Sequence, residues 1–127
     1  MRQVLGELES AVLAELWNSE EALSVRQVLA RVKRKPALAY TTVLTVLDRL
    51  HDKGLVRREK EGKAFLYQPR VSREDWLGEQ AARVLTRGDK PPTRALLMAF
   101  LDSAERADPA LVEKLSSLIA ARRKGAV

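Results

Sequence analysis

Between Leu5 and Leu16 apolar side chains return every three or four residues, and the same spacing recurs in later segments of the chain. Leu8, Val12 and Leu16, flanked by Leu5 and Leu13, form a stripe with Glu7, Glu9 and Glu15 outside it. This predicts a helix from about Gly6 to Trp17, ended by Asn18 and Ser19. Ser24 followed by Gln27 has the spacing of a capping box, in which the hydroxyl accepts from the first turn and the amide reaches back. Val25, Val28, Leu29 and Val32 then continue at helical spacing. The basic run Arg31, Lys33, Arg34, Lys35 suits a carboxyl end, where cations meet exposed carbonyls, and Pro36 stops the helix.

The stretch AYTTVLTVLDRLHDKGLV, residues 39 to 56, is less direct. Thr41, Thr42, Val43, Thr45 and Val46 are β-branched, which favours strands, yet the apolar positions do not alternate. At the helical angle, Val43, Val46, Leu47 and Leu50 fall within an arc of about 100°, the width of a buried stripe. Thr41, Thr42, Thr45 and Arg49 occupy an arc of about the same width on the far side. Gly54, after Lys53, is a helix stop. The segment reads as a helix held by tertiary packing against its own propensity. Neither Ala39 nor Tyr40 is a good amino-terminal cap.

Beyond it the period changes. Leu55 to Lys60 and Lys63 to Gln68 flank Glu61-Gly62, a two-residue turn signal, and Pro69 closes the second arm. This predicts a hairpin carrying Arg57, Arg58, Lys60 and Lys63. Helical spacing then resumes. Ser72-x-x-Asp75 opens a helix through Trp76, Leu77, Ala81, Val84 and Leu85 to Gly88. Pro91-Pro92 precedes another with Leu96, Leu97, Phe100 and Leu101. Asp108-Pro109 caps a last one with Leu111, Val112, Leu115, Leu118 and Ile119. No repeat or low-complexity tract interrupts the order.

Composition narrows the class. The chain has 127 residues, 46% hydrophobic and 31% charged, enough for one domain or two small ones. No apolar run approaches a membrane span, and no basic-then-apolar leader opens the chain, so a cytoplasmic protein with no membrane partner is expected. Cysteine is absent and His51 is the sole histidine. Disulfides, thiolate or imidazole-rich metal sites and cysteine catalysis are therefore excluded. With no nucleophile-and-base set in view, we expect neither an enzyme nor a cofactor or metal.

Charge is concentrated. The net charge is +6 overall. Residues 1–21 hold one basic side chain against five acids, for −4. Residues 22–70 hold twelve against four, for +8, and residues 71–127 ten against eight, for +2. Such a basic segment is the electrostatic footprint of a polyanion partner. Three helices followed by a basic hairpin is the order of a winged helix-turn-helix, whose third helix enters the DNA major groove. Threonine suits that third helix: its hydroxyl bonds phosphates or bases and its methyl touches thymine methyls. Arg49 can reach a phosphate or a guanine.

The expected fold is thus mainly α. A winged-helix DNA-binding domain over 1–70 is followed by a helical dimerisation domain over 71–127. Thr41, Thr42, Thr45, Arg49, Arg57, Arg58, Lys60 and Lys63 are the DNA-binding candidates. Tyr40 and Tyr67 read as packing residues, and His51 as structural or exposed. The last helices have apolar faces too broad for an isolated core of their size, which favours a twofold dimer through Leu77, Leu96, Leu97, Phe100, Leu101, Leu111, Leu115 and Leu118. A dimer would set two recognition helices on double-stranded, palindromic DNA. The alternative is an interaction module of the same fold whose basic hairpin meets an acidic protein.

The chain also resembles a known family, the penicillinase repressors, which include the methicillin-resistance repressors. LGELESAVLAELW (5–17) is similar to the family's opening helix and SVRQVLARV (24–32) to its second. LAYTTVLTVLDRLHDKGLVRREKEGKAFLYQP (38–69) resembles its recognition helix and wing. The resemblance implies a homodimeric bacterial repressor that binds palindromic operators and shuts off β-lactamase or related genes. It further implies dimerisation by the carboxyl-terminal helices and induction by an inducing protease that cuts within them, triggered by a membrane receptor for β-lactams. The scissile Asn-Phe pair of staphylococcal members aligns with Ala99-Phe100, where alanine replaces asparagine. The cysteines of copper-responsive relatives are absent, and Ala39 stands where a serine cap is frequent.

Overall fold

Six helices and one antiparallel hairpin follow one another in the computed structural model, which describes residues 5–33, 37–86 and 90–125. They are α1 (Glu7–Trp17), α2 (Val25–Arg31), α3 (Tyr40–Asp52), β1 (Val56–Glu61), β2 (Ala64–Pro69), α4 (Arg73–Thr86), α5 (Arg94–Ala107) and α6 (Leu111–Arg123). Local chemistry accounts for most of the ends. Ser24 and Gln27 form the reciprocal cap of α2: the Ser24 N–H donates to Gln27 Oε1 at 2.9 Å, and the Gln27 N–H to Ser24 Oγ at 3.2 Å. Helix α2 ends at Arg31, earlier than its basic run suggests, because Val32 leaves the helical region (ψ 99°) and turns into the core. Arg34, Lys35, Pro36 and Gly88 lie outside the described residues.

Helix α3 begins at Tyr40 after Ala39, which offers no side-chain cap, and its stop is a complete Schellman turn. Gly54 has φ +77°; its N–H donates to the His51 carbonyl and the Leu55 N–H to that of Leu50, each at 3.0 Å. Leu50 and Leu55, the two apolar residues such a turn brings together, are both fully buried. A β-carbon on Gly54 would meet nothing within 4 Å, so the φ alone opposes substitution. Gly54→Ala is expected to cost about 1–2 kcal/mol, read as a lower denaturant midpoint at unchanged slope. A neutral result would mean that the turn can be rebuilt.

The hairpin pairs Glu61 with Ala64, so Gly62 and Lys63 connect the strands. This is one residue later than the expected Glu61-Gly62 turn. Gly62 takes φ +64°, the conformation a two-residue loop needs within itself, which leaves Glu61 paired in β1 and puts Lys63 at the tip. A further pairing had no sequence signal. Leu23 bridges to Tyr67, the Leu23 N–H donating at 2.8 Å and the Tyr67 N–H at 2.7 Å. One bridging residue carries no periodicity, so only the folded chain reveals it.

The core gathers Val12, Leu13 and Leu16 of α1, Val25 and Val28 of α2, all four stripe residues of α3, then Leu55, Val56, Tyr67 and Trp76. Trp17 Nε1 donates to the Val71 carbonyl at 2.9 Å and fastens the exit of the hairpin to α1. The sequence reading divides the chain at 70/71, whereas the compact units are Met1–Gln80 and Ala81–Val127. Trp76, 7% exposed in the core of the first unit, explains why that unit runs on into α4.

In the second unit Ala104 is the buried apolar residue among those described. Thr93 caps α5, accepting from the Leu96 N–H at 3.1 Å, a cap that the preceding prolines obscure in the sequence. Asp108 Oδ1 accepts from the Ala110 N–H at 3.0 Å, so the expected cap is made while the regular helix begins at Leu111.

Candidate nucleic-acid interface

Helix α3 has two unlike sides. Val43, Val46, Leu47 and Leu50 are buried, and Thr41, Thr42, Thr45 and Arg49 are exposed. The weak helix formers are therefore held by burial of one face, which leaves short side chains on the other. Thr45 carries a detail that spacing does not show: its hydroxyl donates to the Thr41 carbonyl at 2.9 Å. With its proton bonded to its own helix, that oxygen is left with acceptor capacity only, beside a methyl group on an exposed residue.

The hairpin's four basic residues are not equivalent. Register places Arg58 and Lys60 opposite Tyr67 and Phe65, whereas Arg57 stands opposite Gln68 on the other face. Lys60 and Lys63 are exposed. Arg57 is exposed too, and donates to Gln68 from Nε (2.8 Å) and Nη2 (3.0 Å) when the amide oxygen is turned toward it. Arg58 is half-buried: its Nη1 donates to Asp48 Oδ1 at 2.9 Å and its guanidinium lies 4.6 Å from the centre of the Phe65 ring.

Several groups here gave no clear signal along the chain. Tyr40, expected to pack, is 41% exposed at the first position of α3, with the Arg26 guanidinium 5.3 Å from its ring centre. The available signal was Arg26 two residues after the Ser24 cap. Tyr67 is fully buried, as expected of a packing residue, and burial raises its phenol above the usual range against the pull of Arg58. His51 is partly exposed, with Nδ1 3.8 Å from Asp52 Oδ1.

Glu9, expected outside the α1 stripe, instead binds Lys53 Nζ at 2.7 Å, and both side chains are largely covered. Burial raises the Glu9 pKa, but the bonds from Lys53 and the Gly6 N–H, with the charges of Lys53 and Arg49, outweigh it and hold the pKa below 4.5. A carboxylate lowered on folding stabilises the fold above its unfolded pKa and ceases to do so as pH falls through its folded one. The coupling between Glu9→Gln and Lys53→Met in a double-mutant cycle is accordingly expected to be full above pH 4.5 and to fade below it. Coupling that persists in strong acid would contradict the pairing.

Of the remaining candidates, Leu77, Leu97, Leu101 and Leu118 are exposed; Leu96, Phe100, Leu111 and Leu115 are half-buried. Ala99 is exposed in the middle of α5. Among the described residues no group of three histidine, cysteine or acidic side chains can hold a metal ion, and no helix is long and apolar enough to cross a membrane.

Three packed helices, the third with an exposed polar face and followed by a basic hairpin, define a winged helix-turn-helix protein. Comparison with known proteins agrees. A profile of the family described as Penicillinase repressor matches residues 5–121, and the chain belongs to that family, whose members are transcriptional repressors and not enzymes. It is 37% identical over 107 residues to the transcriptional regulator BlaI of two Mycobacterium tuberculosis strains, covering 82% of this chain and 78% of theirs. It is 22% identical over 99 residues to the penicillinase repressor of Bacillus licheniformis, covering 78% and 77%. Its structure is similar to the solution structure of the DNA binding domain of the repressor BlaI, with TM-score 0.50 and 25% identity over 59% of this chain and 93% of that one.

Proposed function

We infer that this protein is a cytoplasmic transcriptional repressor that binds a palindromic operator in double-stranded DNA as a homodimer and silences β-lactamase or related genes. The observation that carries the reading is the division of α3 into a fully buried apolar stripe and an exposed face of short side chains, with the hairpin attached beside it. In this reading Thr41, Thr42, Thr45 and Arg49 face base edges, and Arg57, Lys60 and Lys63 approach the phosphates. The 1–70 segment supplies this reading head and 71–127 the pairing of two copies. Support for pairing comes from Leu97, Met98, Leu101, Leu118 and Ile119, each at least 37% exposed on helices that bury little else. Two reading helices related by a twofold axis would sit about one DNA turn apart, or a multiple of it. An inducing protease acting at Ala99-Phe100 would need α5 to unwind locally, since that bond lies inside the helix.

Titration of the protein onto its own promoter fragment and onto random DNA, at several salt concentrations, tests the reading. Expected are a clear preference for the promoter, a steep fall with salt, and a light-scattering mass twice the 14.2 kDa of one chain. Lys63→Ala should lose affinity equally on both DNAs and flatten the log–log salt slope by about 0.9. Absence of promoter preference, or capture of an acidic protein instead, would remove the repressor assignment.

A further inference from the structure

The recognition helix keeps an acid where an acid is unwelcome. On the helical wheel Asp48 lies about 20° from Thr41, at the border of the face turned to DNA, where a lone carboxylate would repel phosphates. It does not stand alone. Its Oδ1 accepts from Arg58 Nη1 at 2.9 Å, and the same guanidinium rests on Phe65, across the hairpin, 4.6 Å from the ring centre. Phe65 in turn meets Tyr67 edge to face at 6.4 Å, and Tyr67 is fully buried in the core. A continuous series of contacts therefore runs from α3 through Arg58 and Phe65 to the inner hairpin.

That series falls where the hairpin needs it. Two antiparallel strands alone are marginal in water. The inner part of β2 gains a second partner from Leu23 at Tyr67, while Lys60 and Lys63 lie further out, past that bridge. Arg58, opposite Tyr67 in the register, ties the hairpin to α3 at the level of that bridge, and its guanidinium on Phe65 reaches two residues further out, to the pair that Phe65 makes with Lys60. We propose that the Asp48–Arg58 pair is a strut that sets the pitch of the wing against the recognition helix. Arg58 is then a positioning residue acting through Asp48, and the phosphate contacts belong to its neighbours. This inference rests on the DNA-reading assignment above. It adds that base reading by α3 and backbone contact by the wing are coupled through one ion pair.

The test uses the full chain with Asp48→Asn, Arg58→Ala, their combination, and Arg58→Lys. Without DNA, nitrogen-15 relaxation of the backbone amides of residues 59–65 is expected to show lower order in either single variant and no further drop in the double. Order unchanged from the parent protein would overturn the strut. With DNA, each single variant is expected to lose about tenfold more affinity on the protein's own promoter fragment than on random DNA, at an unchanged salt slope, and Arg58→Lys should recover part of the loss. Equal loss on both DNAs with a slope smaller by about 0.9 would make Arg58 an ordinary phosphate contact and end the proposal. Should Arg58→Ala fail to fold, Asp48→Asn decides: tighter binding to both DNAs would mean that the carboxylate only repels. A parent protein without operator preference would sink the repressor reading, and the relaxation experiment would still judge the strut.

Discussion

Replacing Leu47 by alanine is expected to remove about 2–5 kcal/mol of folding stability, a large share of what a small domain possesses. Leu47 is fully buried in α3 and packs in the cluster shared by α1, α2 and the hairpin. Two losses combine there. The deleted carbons forfeit their transfer energy, and the cavity left behind is closed only in part. Helix α3 is also poorly able to compensate, because its β-branched residues and missing side-chain cap leave it dependent on packing. Urea denaturation followed by circular dichroism should show a much lower midpoint, and operator binding should fall with the folded fraction. A change under about 0.5 kcal/mol, ordinary for surface positions, would mean that this face of α3 is not the packed one.

On the opposite face, Arg49→Ala and Thr45→Ala are expected to spare the fold and to lose about 1–3 kcal/mol of operator affinity, with little loss on random DNA. Both side chains are exposed and alanine is the better helix former, which offsets the loss of the Arg49 charge that favours ionised Glu9, so stability should change by less than about 0.5 kcal/mol. Thr45 permits a finer distinction. Its hydroxyl proton is given to the Thr41 carbonyl, which leaves an acceptor lone pair and a methyl for the groove. Thr45→Val keeps the shape and the apolar contact and removes the acceptor; it should retain a thymine preference and lose one for a base that donates. Binding to operators altered one base pair at a time separates these outcomes. Equal loss on operator and random DNA would withdraw the base-reading role from both residues.

These paired expectations show where local pattern ends. The elements, their order and the two faces of α3 follow from spacing, because helical periodicity states which way each side chain leaves its own backbone. The Ser24 cap and the Gly54 stop are legible for the same reason, each being settled within five residues of chain. The hairpin was legible as a hairpin, but its tip moved by one residue: the sequence offers a glycine that can turn, and cross-strand pairing decides which position in the loop that glycine occupies.

The charges were legible as a basic segment and not as individual roles. Arg57, Arg58, Lys60 and Lys63 look alike along the chain, yet strand alternation sets Arg57 on the other face from Arg58 and Lys60, and the acid on α3 then singles out Arg58. Glu9 likewise reads as a solvated flank until Lys53, 44 residues away, is brought against it. The same holds for Leu23 on Tyr67 and for Trp17 on Val71, 54 residues apart. By itself the sequence determined the helices, the wing, the buried and open sides of the reading helix, and the sign of the partner's charge, since these depend on backbone geometry and residue chemistry over a few turns. Tertiary structure alone decided which charges are spent within the fold and which remain exposed, because a hydrogen bond or ion pair depends on distance through space, and that distance exists only once remote segments have packed.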